Sequence, residues 1–172
     1  MAEFLVLLNS GDYNAVQYAI DHDLVDWAVA MKLLRRAIKP LTMPPPNHDV
    51  RMCTVQAAAF AVVQRGDVNM LEVLASYLDD GTSCLCVALV YNDVIMAEVL
   101  LEIPCSVSKA LVFLFRFADP NVDYSGVMNL CMAAMEHGVV LSSAEVELCR
   151  PNVTMYARML EWVRDGVVYI FE

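Results

Sequence analysis

Ser83-Cys84-Leu85-Cys86-Val87-Ala88-Leu89-Val90-Tyr91-Asn92-Asp93-Val94-Ile95-Met96-Ala97-Glu98-Val99-Leu100-Leu101 reads as two apolar runs joined by a short polar break. Apolar residues at helical spacing on both sides of such a break describe two helices folded back on each other. The aspartate at the break can cap the second helix by accepting a free N–H of its first turn. The same grammar occurs twice more, at Gly66-Asp67-Val68-Asn69-Met70-Leu71 and at Gly11-Asp12-Tyr13-Asn14-Ala15-Val16. Each pair carries two apolar stripes, one for its mate and one for a neighbouring pair. One pair alone cannot cover both, so pairs stack. The expectation is an all-α chain of stacked antiparallel helix pairs with a short β or extended C-terminal tail.

Working outward, Glu3 to Leu8 is a short apolar helix and Asn9-Ser10-Gly11-Asp12 punctuates it. A second helix runs from Tyr13 to Asp21, with Ala15, Val16, Ala19 and Ile20 at helical spacing. His22-Asp23 breaks it. A third helix from about Leu24 to Ile38 places Trp27, Met31, Leu34 and Ile38 on one face. Lys39 to Asp49 holds four of the seven prolines. Consecutive prolines forbid helix and favour an extended segment. That loop serves either as a rigid connector between helical parts or as a short proline-rich ligand for an aromatic groove.

Helices resume at Met52 to Gln64 and Asn69 to Leu78, closed by Asp79-Asp80-Gly81. Ser83 to Tyr91 and Ile95 to Glu102 form the next pair. Ser106 or Ser108 caps a helix from Lys109 to Phe117, and Asp119-Pro120-Asn121 is a turn. A helix from Val127 to Glu136, capped by Ser125, closes at Gly138. Ser142-Ser143-Ala144-Glu145 is a capped short helix. Asn152 or Thr154 opens a last helix that reaches about Arg164. The organisation is one helical-repeat domain over 1–172: helices over 1–39, a proline-rich loop over 40–50, helical repeats over 51–166 and an apolar tail over 167–172. The tail, Val167-Val168-Tyr169-Ile170-Phe171, is β-branched and aromatic. It either docks across the helices or pairs with another chain, its own copy included.

The stretch from Met52 to Glu102 resembles a degenerate ankyrin repeat. Ser83 to Asp93 follows the first half of that unit, and Val94 to Leu101 follows the second. Gly66 to Leu74 resembles another second half, and Gly11 to Ile20 a fainter one. The chain departs from the family in two ways. Its turns lie at 11, 66 and 92, unevenly spaced where the family repeats at about 33. No Thr-Pro-Leu-His tetrapeptide is present. The resemblance implies an irregular α-solenoid with a protein-binding surface and no catalysis.

Apolar residues make up 59% of the chain, above the usual ~45–50%. Either the domain is packed all round or some apolar surface is meant for a partner. The net charge of −10 repels phosphate backbones, which argues against nucleic-acid binding. Phe4 to Leu8 is too short for a signal-peptide core, and Glu3 stands where a positive charge is expected. No run approaches the roughly 20 apolar residues of a membrane span. A cytoplasmic protein that does not engage membranes is the expectation, and buried reduced thiols at the six cysteines agree with it.

The chemistry-bearing residues are scattered. Cys84-x-Cys86 is the only close cysteine pair, and alternate residues on a helix point well apart, so one metal is not easily shared. His22, His48 and His137 are isolated, no nucleophile motif brackets any Cys or Ser, and every glycine stands alone. No catalytic residue, cofactor or metal is assigned. Met128, Met132 and Met135, with Met155 and Met159, read as core filling or as an adaptable surface.

Two charged surfaces stand out. Lys32, Arg35, Arg36 and Lys39 lie at i, i+3, i+4 and i+7, which gathers cations on one face of the third helix. They are either a solvated face, a face paired internally with acidic residues, or a site for an acidic segment of another protein. Gly66 to Ser108 has no Lys or Arg but contains Asp67, Glu72, Asp79, Asp80, Asp93, Glu98 and Glu102. Candidate partner contacts are therefore Lys32, Arg35, Arg36, Lys39, Glu72, Asp79, Asp80, Asp93 and the tail residues Val168, Tyr169, Ile170 and Phe171. The expected function is a non-enzymatic protein–protein interaction module, of a kind that would suit a viral or pathogen host-binding protein. The rivals are an obligate subunit of a larger complex or homodimer, and a thiol- or metal-dependent enzyme using Cys84, Cys86 or a histidine.

Overall fold

The computed structural model describes residues 3–38, 49–135 and 137–172. The repeated dipeptides fold alike in it. The carboxylate of Asp12 accepts the Ala15 N–H at 3.0 Å, Asp67 that of Met70 at 3.1 Å and Asp93 that of Met96 at 3.0 Å. The residue before each aspartate is left-handed: Gly11 at φ 72°, Gly66 at 74° and Asn92 at 55°. This conformation is reached at low cost by Gly and tolerated by Asn. It lets the Asp67 N–H reach back to the Val62 carbonyl at 3.2 Å and the Asp93 N–H to Ala88 at 2.9 Å. One dipeptide thus closes one helix and opens the next.

Among the described residues there are eleven helices and two short strands. The N-terminal helices are α1 (Phe4–Ser10), α2 (Tyr13–Asp21) and α3 (Trp27–Ala37). The pairs that follow are α4 (Val50–Arg65) with α5 (Val68–Ala75), α6 (Thr82–Val90) with α7 (Val94–Leu101), and α8 (Val107–Phe117) with α9 (Ser125–Ala134). Then come β1 (Val139–Ser142), α10 (Ser143–Glu147), α11 (Val153–Arg164) and β2 (Val168–Phe171). The pairs stack in two layers. First helices touch in the order α4, α6, α8, α10, and second helices in the order α2, α5, α7, α9, α11. Helix α3 is an additional element lying against α4 and α1. Thr54, fully buried, places its hydroxyl 2.7 Å from the Val50 carbonyl and 3.1 Å from that of Trp27, which ties α4 to the start of α3.

This layering explains why α4 and α6 are apolar nearly all round. Helix α6 has α4 and α8 beside it and α7 across the layers, so every residue from Cys84 to Leu89 is buried. Met70, Met96 and Met155 each sit three residues after a capping Asp67, Asp93 or Asn152, and all are buried. With Met128 and Met159, also buried, they act as core filler.

The tail docks within the chain as a strand. Strands β1 and β2 pair in parallel, Val139 opposite Val168 through Ser142 opposite Phe171. Each strand follows a second-layer helix, α9 or α11. They therefore occupy like positions in successive pairs, with α10 and α11 as the crossover between them. Gly138 makes the approach feasible. Its φ is 78°, and a Cβ there would lie 2.6 Å from the Val167 carbonyl oxygen. That same carbonyl accepts the Val139 N–H at 3.0 Å.

Several boundaries differ from the sequence expectation. Helix α3 begins at Trp27, because Asp23 is left-handed at φ 52° and Asp26 caps the Val29 N–H at 3.1 Å. Helix α5 stops at Ala75 instead of Leu78, although Leu78 remains buried. Helix α9 begins at Ser125, whose N–H is held by the Asp123 carboxylate at 2.9 Å, so Ser125 lies inside the helix and does not cap it. The helix ends at Ala134, leaving Met135 at its C-cap. Strand β1 has no counterpart in the sequence expectation. Lys39, the proline-rich stretch 40–48 and Glu136 lie outside the described residues.

Candidate functional site

Helix α3 turns Ala30 and Leu34 into the core and leaves Lys32, Arg35 and Arg36 exposed. Arg35 and Arg36 fall in its last turn, where cations complement the helix dipole. Among the described residues the other arginines, except the exposed Arg116, are engaged within the chain. Arg65 meets Asp67 at 3.1 Å, Arg150 meets Glu147 at 3.0 Å, Arg158 meets Glu161 at 2.9 Å and Arg164 meets Asp165 at 3.1 Å. Arg51 lies over the Trp27 ring at 5.5 Å and donates to the Ile20 carbonyl at 3.2 Å. Among the described residues, Lys32, Arg35 and Arg36 make no ion pair with the acidic 66–108 segment or with any other carboxylate. The fourth member of the stripe, Lys39, is outside the described residues.

Beside this stripe is an apolar depression of about 130 Å³ where α1, α2 and α3 meet. Leu7, Ala19, Leu24, Val25, Val29 and Leu33 line it, with Glu3 and Asp26 on its rim. A shallower hollow shares Leu7, Ala19 and Leu24 and continues to Ala15 and Tyr18. Much of this surface stands in water: Tyr18 is 57% exposed, Leu24 46% and Val29 47%. Sequence reasoning missed it because its walls come from separate helices and the loop between α2 and α3.

The acidic candidates separate by role. Asp93 is a half-buried helix cap, and Asp80 accepts the Thr82 N–H and hydroxyl at 2.8 and 2.6 Å. Both hold the local fold in place, whereas Asp79 is simply exposed. Glu72 is exposed and lines an open groove between α5 and α7 together with Glu98 and Glu102. Those last two were visible in the sequence as acidic residues, but their convergence on Glu72 depends on how α5 and α7 pack. At the tail, Val168 is buried, while Tyr169, Ile170 and Phe171 are exposed and Val140 stands opposite Tyr169. Each strand of this sheet has one neighbour, so β2 keeps an open edge among the described residues.

Four buried thiols sit in surroundings that suppress reactivity. Burial, with Cys86 and Asp80 adding to it, pushes Cys84 up to about 12. Burial likewise raises Cys131 to about 12, and Cys86 and Cys149 to about 11. A nucleophile needs the thiolate, which these positions disfavour. His22 is exposed and stacks on Tyr18, ring centroids 3.9 Å apart, with Nδ1 3.0 Å from the Tyr18 carbonyl. His137 is exposed, and His48 lies outside the described residues. Among the described residues no group of three or more His, Cys, Asp or Glu side chains is arranged to hold a metal ion. No helix among them is long and apolar enough to cross a membrane.

Compared with known proteins, the chain matches no family model, no curated protein and no solved structure.

Proposed function

We propose that this chain is a non-enzymatic protein-interaction module, an irregular ankyrin-like stack that binds another protein through the surface around α3. The observation that carries the reading is the set of exposed, unpaired Lys32, Arg35 and Arg36 beside an open apolar depression. Cations in a chain of net charge −10 have many internal carboxylates to choose from. Lys109 and Arg116 are also exposed without an ion pair, but they stand on another helix, whereas three clustered cations left unpaired on α3 fit a surface kept for an external acid. The raised thiols support the same reading against a cysteine-dependent enzyme.

The test is affinity capture from the cells in which the chain is native. Wild type is compared with a variant carrying Lys32→Glu, Arg35→Glu, Arg36→Glu and Lys39→Glu. The expected result is a partner retained by wild type and lost by the variant at unchanged melting temperature. Retention by both forms, or one native cysteine that reacts at the rate of a free thiolate, would overturn the reading.

A second reading is favoured by the open edge of β2 and the exposed Val140, Tyr169, Ile170 and Phe171: self-association through the tail. Light scattering tests it. A dimer that becomes monomeric with Tyr169→Ser and Phe171→Ser supports it, and a wild-type monomer removes it.

A further inference from the structure

We infer that the apolar depression bounded by α1, α2 and α3 is the seat of an acidic amphipathic helix of the partner. This rests on the interaction-module reading and specifies the chemistry of its partner.

The first argument is position in the stack. Helices α5, α7 and α9 each have a second-layer neighbour on both sides, whereas α2 has α5 on one side only. The depression is walled by α1, α2, α3 and the α2–α3 loop, and no residue of α5 lines it. The surface a stacked helix leaves uncovered is one shaped to receive another helix, whose ridges seat in such grooves. The second argument is chemistry. Leu7, Leu24, Val25, Val29 and Leu33 offer an apolar floor, so the occupant must bring an apolar stripe. A volume of about 130 Å³ holds roughly one large side chain, since a cavity of ~150 Å³ accepts a benzene ring.

The third argument is charge. Val29 and Leu33 are four residues apart, as are Lys32 and Arg36, and each cation stands three residues after one of the two apolar residues. The wall of the depression and the cationic stripe are thus adjacent strips of the same helix. An occupant lying along α3 sets its apolar stripe against Val29 and Leu33 and its polar flank against Lys32 and Arg36. Carboxylates on that flank find unpaired cations. Glu3 and Asp26 also line the depression, and the Asp26 carboxylate is already engaged by the Val29 N–H.

The probe is a synthetic 18-residue peptide with leucines at i, i+3, i+4 and i+7 and glutamates elsewhere, followed by fluorescence anisotropy. Two twins accompany it, one with lysine for each glutamate and one with the same composition scrambled. The acidic amphipathic peptide is expected to bind saturably and to weaken as salt is raised. Its Kd should rise at least about tenfold with Lys32→Glu plus Arg36→Glu, and by a similar factor with Val29→Asp or Leu24→Ser at unchanged melting temperature. Equal binding by either twin, no binding by the acidic peptide, or indifference to these substitutions overturns the inference. So does a concentration-dependent dimer that Val29→Asp dissolves, because the occupant is then a second copy. If native capture depends on the basic stripe but survives Val29→Asp while the peptide fails to bind, the groove assignment falls and the module reading stands. If capture itself is indifferent to the stripe, both fall.

Discussion

The middle helix pairs and the C-terminal ones reach the same stacked geometry by different means. Between α4 and α5, and between α6 and α7, a left-handed residue followed by Asp finishes the turn with bonds among its immediate neighbours. The α8–α9 connection is longer; the Val122 N–H reaches the Asp119 carbonyl at 3.2 Å, but nothing in the connection donates to the Val122 carbonyl. Asn152, nearly fully buried, bridges the turn: its Nδ2 donates to the Asp119 and Val122 carbonyls, both at 2.8 Å, while its Oδ1 caps the Met155 N–H at 2.9 Å. A repeat can therefore lose its turn dipeptide and keep its shape, provided one side chain from the next pair satisfies the exposed backbone.

The largest effect expected breaks both regions together, because their cores share raised thiols. Cys84 and Cys86 lie in the middle, Cys131 and Cys149 in the C-terminal part. In the unfolded chain a thiol ionises near its ordinary value of about 8.5. In the fold these four keep their protons to about 11 or 12. The native state therefore binds more protons than the unfolded state in that window. The stability contributed is complete below about pH 8 and is lost as pH rises towards 11–12, at up to about 1.4 kcal/mol per pH unit for each thiol. Urea midpoints in reducing buffer at neutral pH and at about pH 10.5 measure it. Cys84→Ala and Cys131→Ala should each flatten the fall. A slope that neither substitution changes would show that the thiols are not responsible.

The next effect separates the regions. Asn152→Ala removes a helix cap and one of the two donors to the Asp119 carbonyl and leaves the Val122 carbonyl without a donor, a loss of about 2–3 kcal/mol. Asn152→Asp keeps an acceptor for Met155 but cannot donate, so it should lose most of the same amount. If Asn152→Asp is as stable as wild type in urea, the connection to the α8–α9 turn contributes nothing and the contrast drawn above disappears.

The same contrast explains what the sequence disclosed. Helices α2, α6 and α7, and the capping box in which Ser142 and Glu145 hold each other's backbone, depend on residues a few positions apart, and all were readable. The tasks of Asn152 involve carbonyls 33 and 30 positions away, so only its capping role was visible. Strand β1 was missed because four residues make a weak signal and its partner lies beyond two helices. Gly138 was read as a helix stop, whereas its need for no side chain comes from the Val167 carbonyl. The candidate site divides the same way. The spacing of Lys32, Arg35 and Arg36 showed one face, but their lack of internal partners and the depression beside them are products of tertiary packing.

The smallest effect asks where the boundary between the two modes falls. Gly66 and Asn92 hold the same left-handed position, yet only Asn92 has a side chain that reaches the next turn, its Nδ2 donating to the Asp123 carbonyl at 3.0 Å. Replacing Asn92 with Gly relaxes the left-handed backbone, worth roughly 0.5–1 kcal/mol, and removes a buried Oδ1 that has no partner. It also deletes one hydrogen bond, worth roughly 0.5–1.5 kcal/mol. The terms oppose each other, and a change within about 0.5 kcal/mol of zero is expected for Asn92→Gly in urea. A gain well above that would make this turn as self-sufficient as Gly66-Asp67. A loss above about 1.5 kcal/mol would move it to the other side, because the bond to Asp123 would then be holding neighbouring pairs together as Asn152 does.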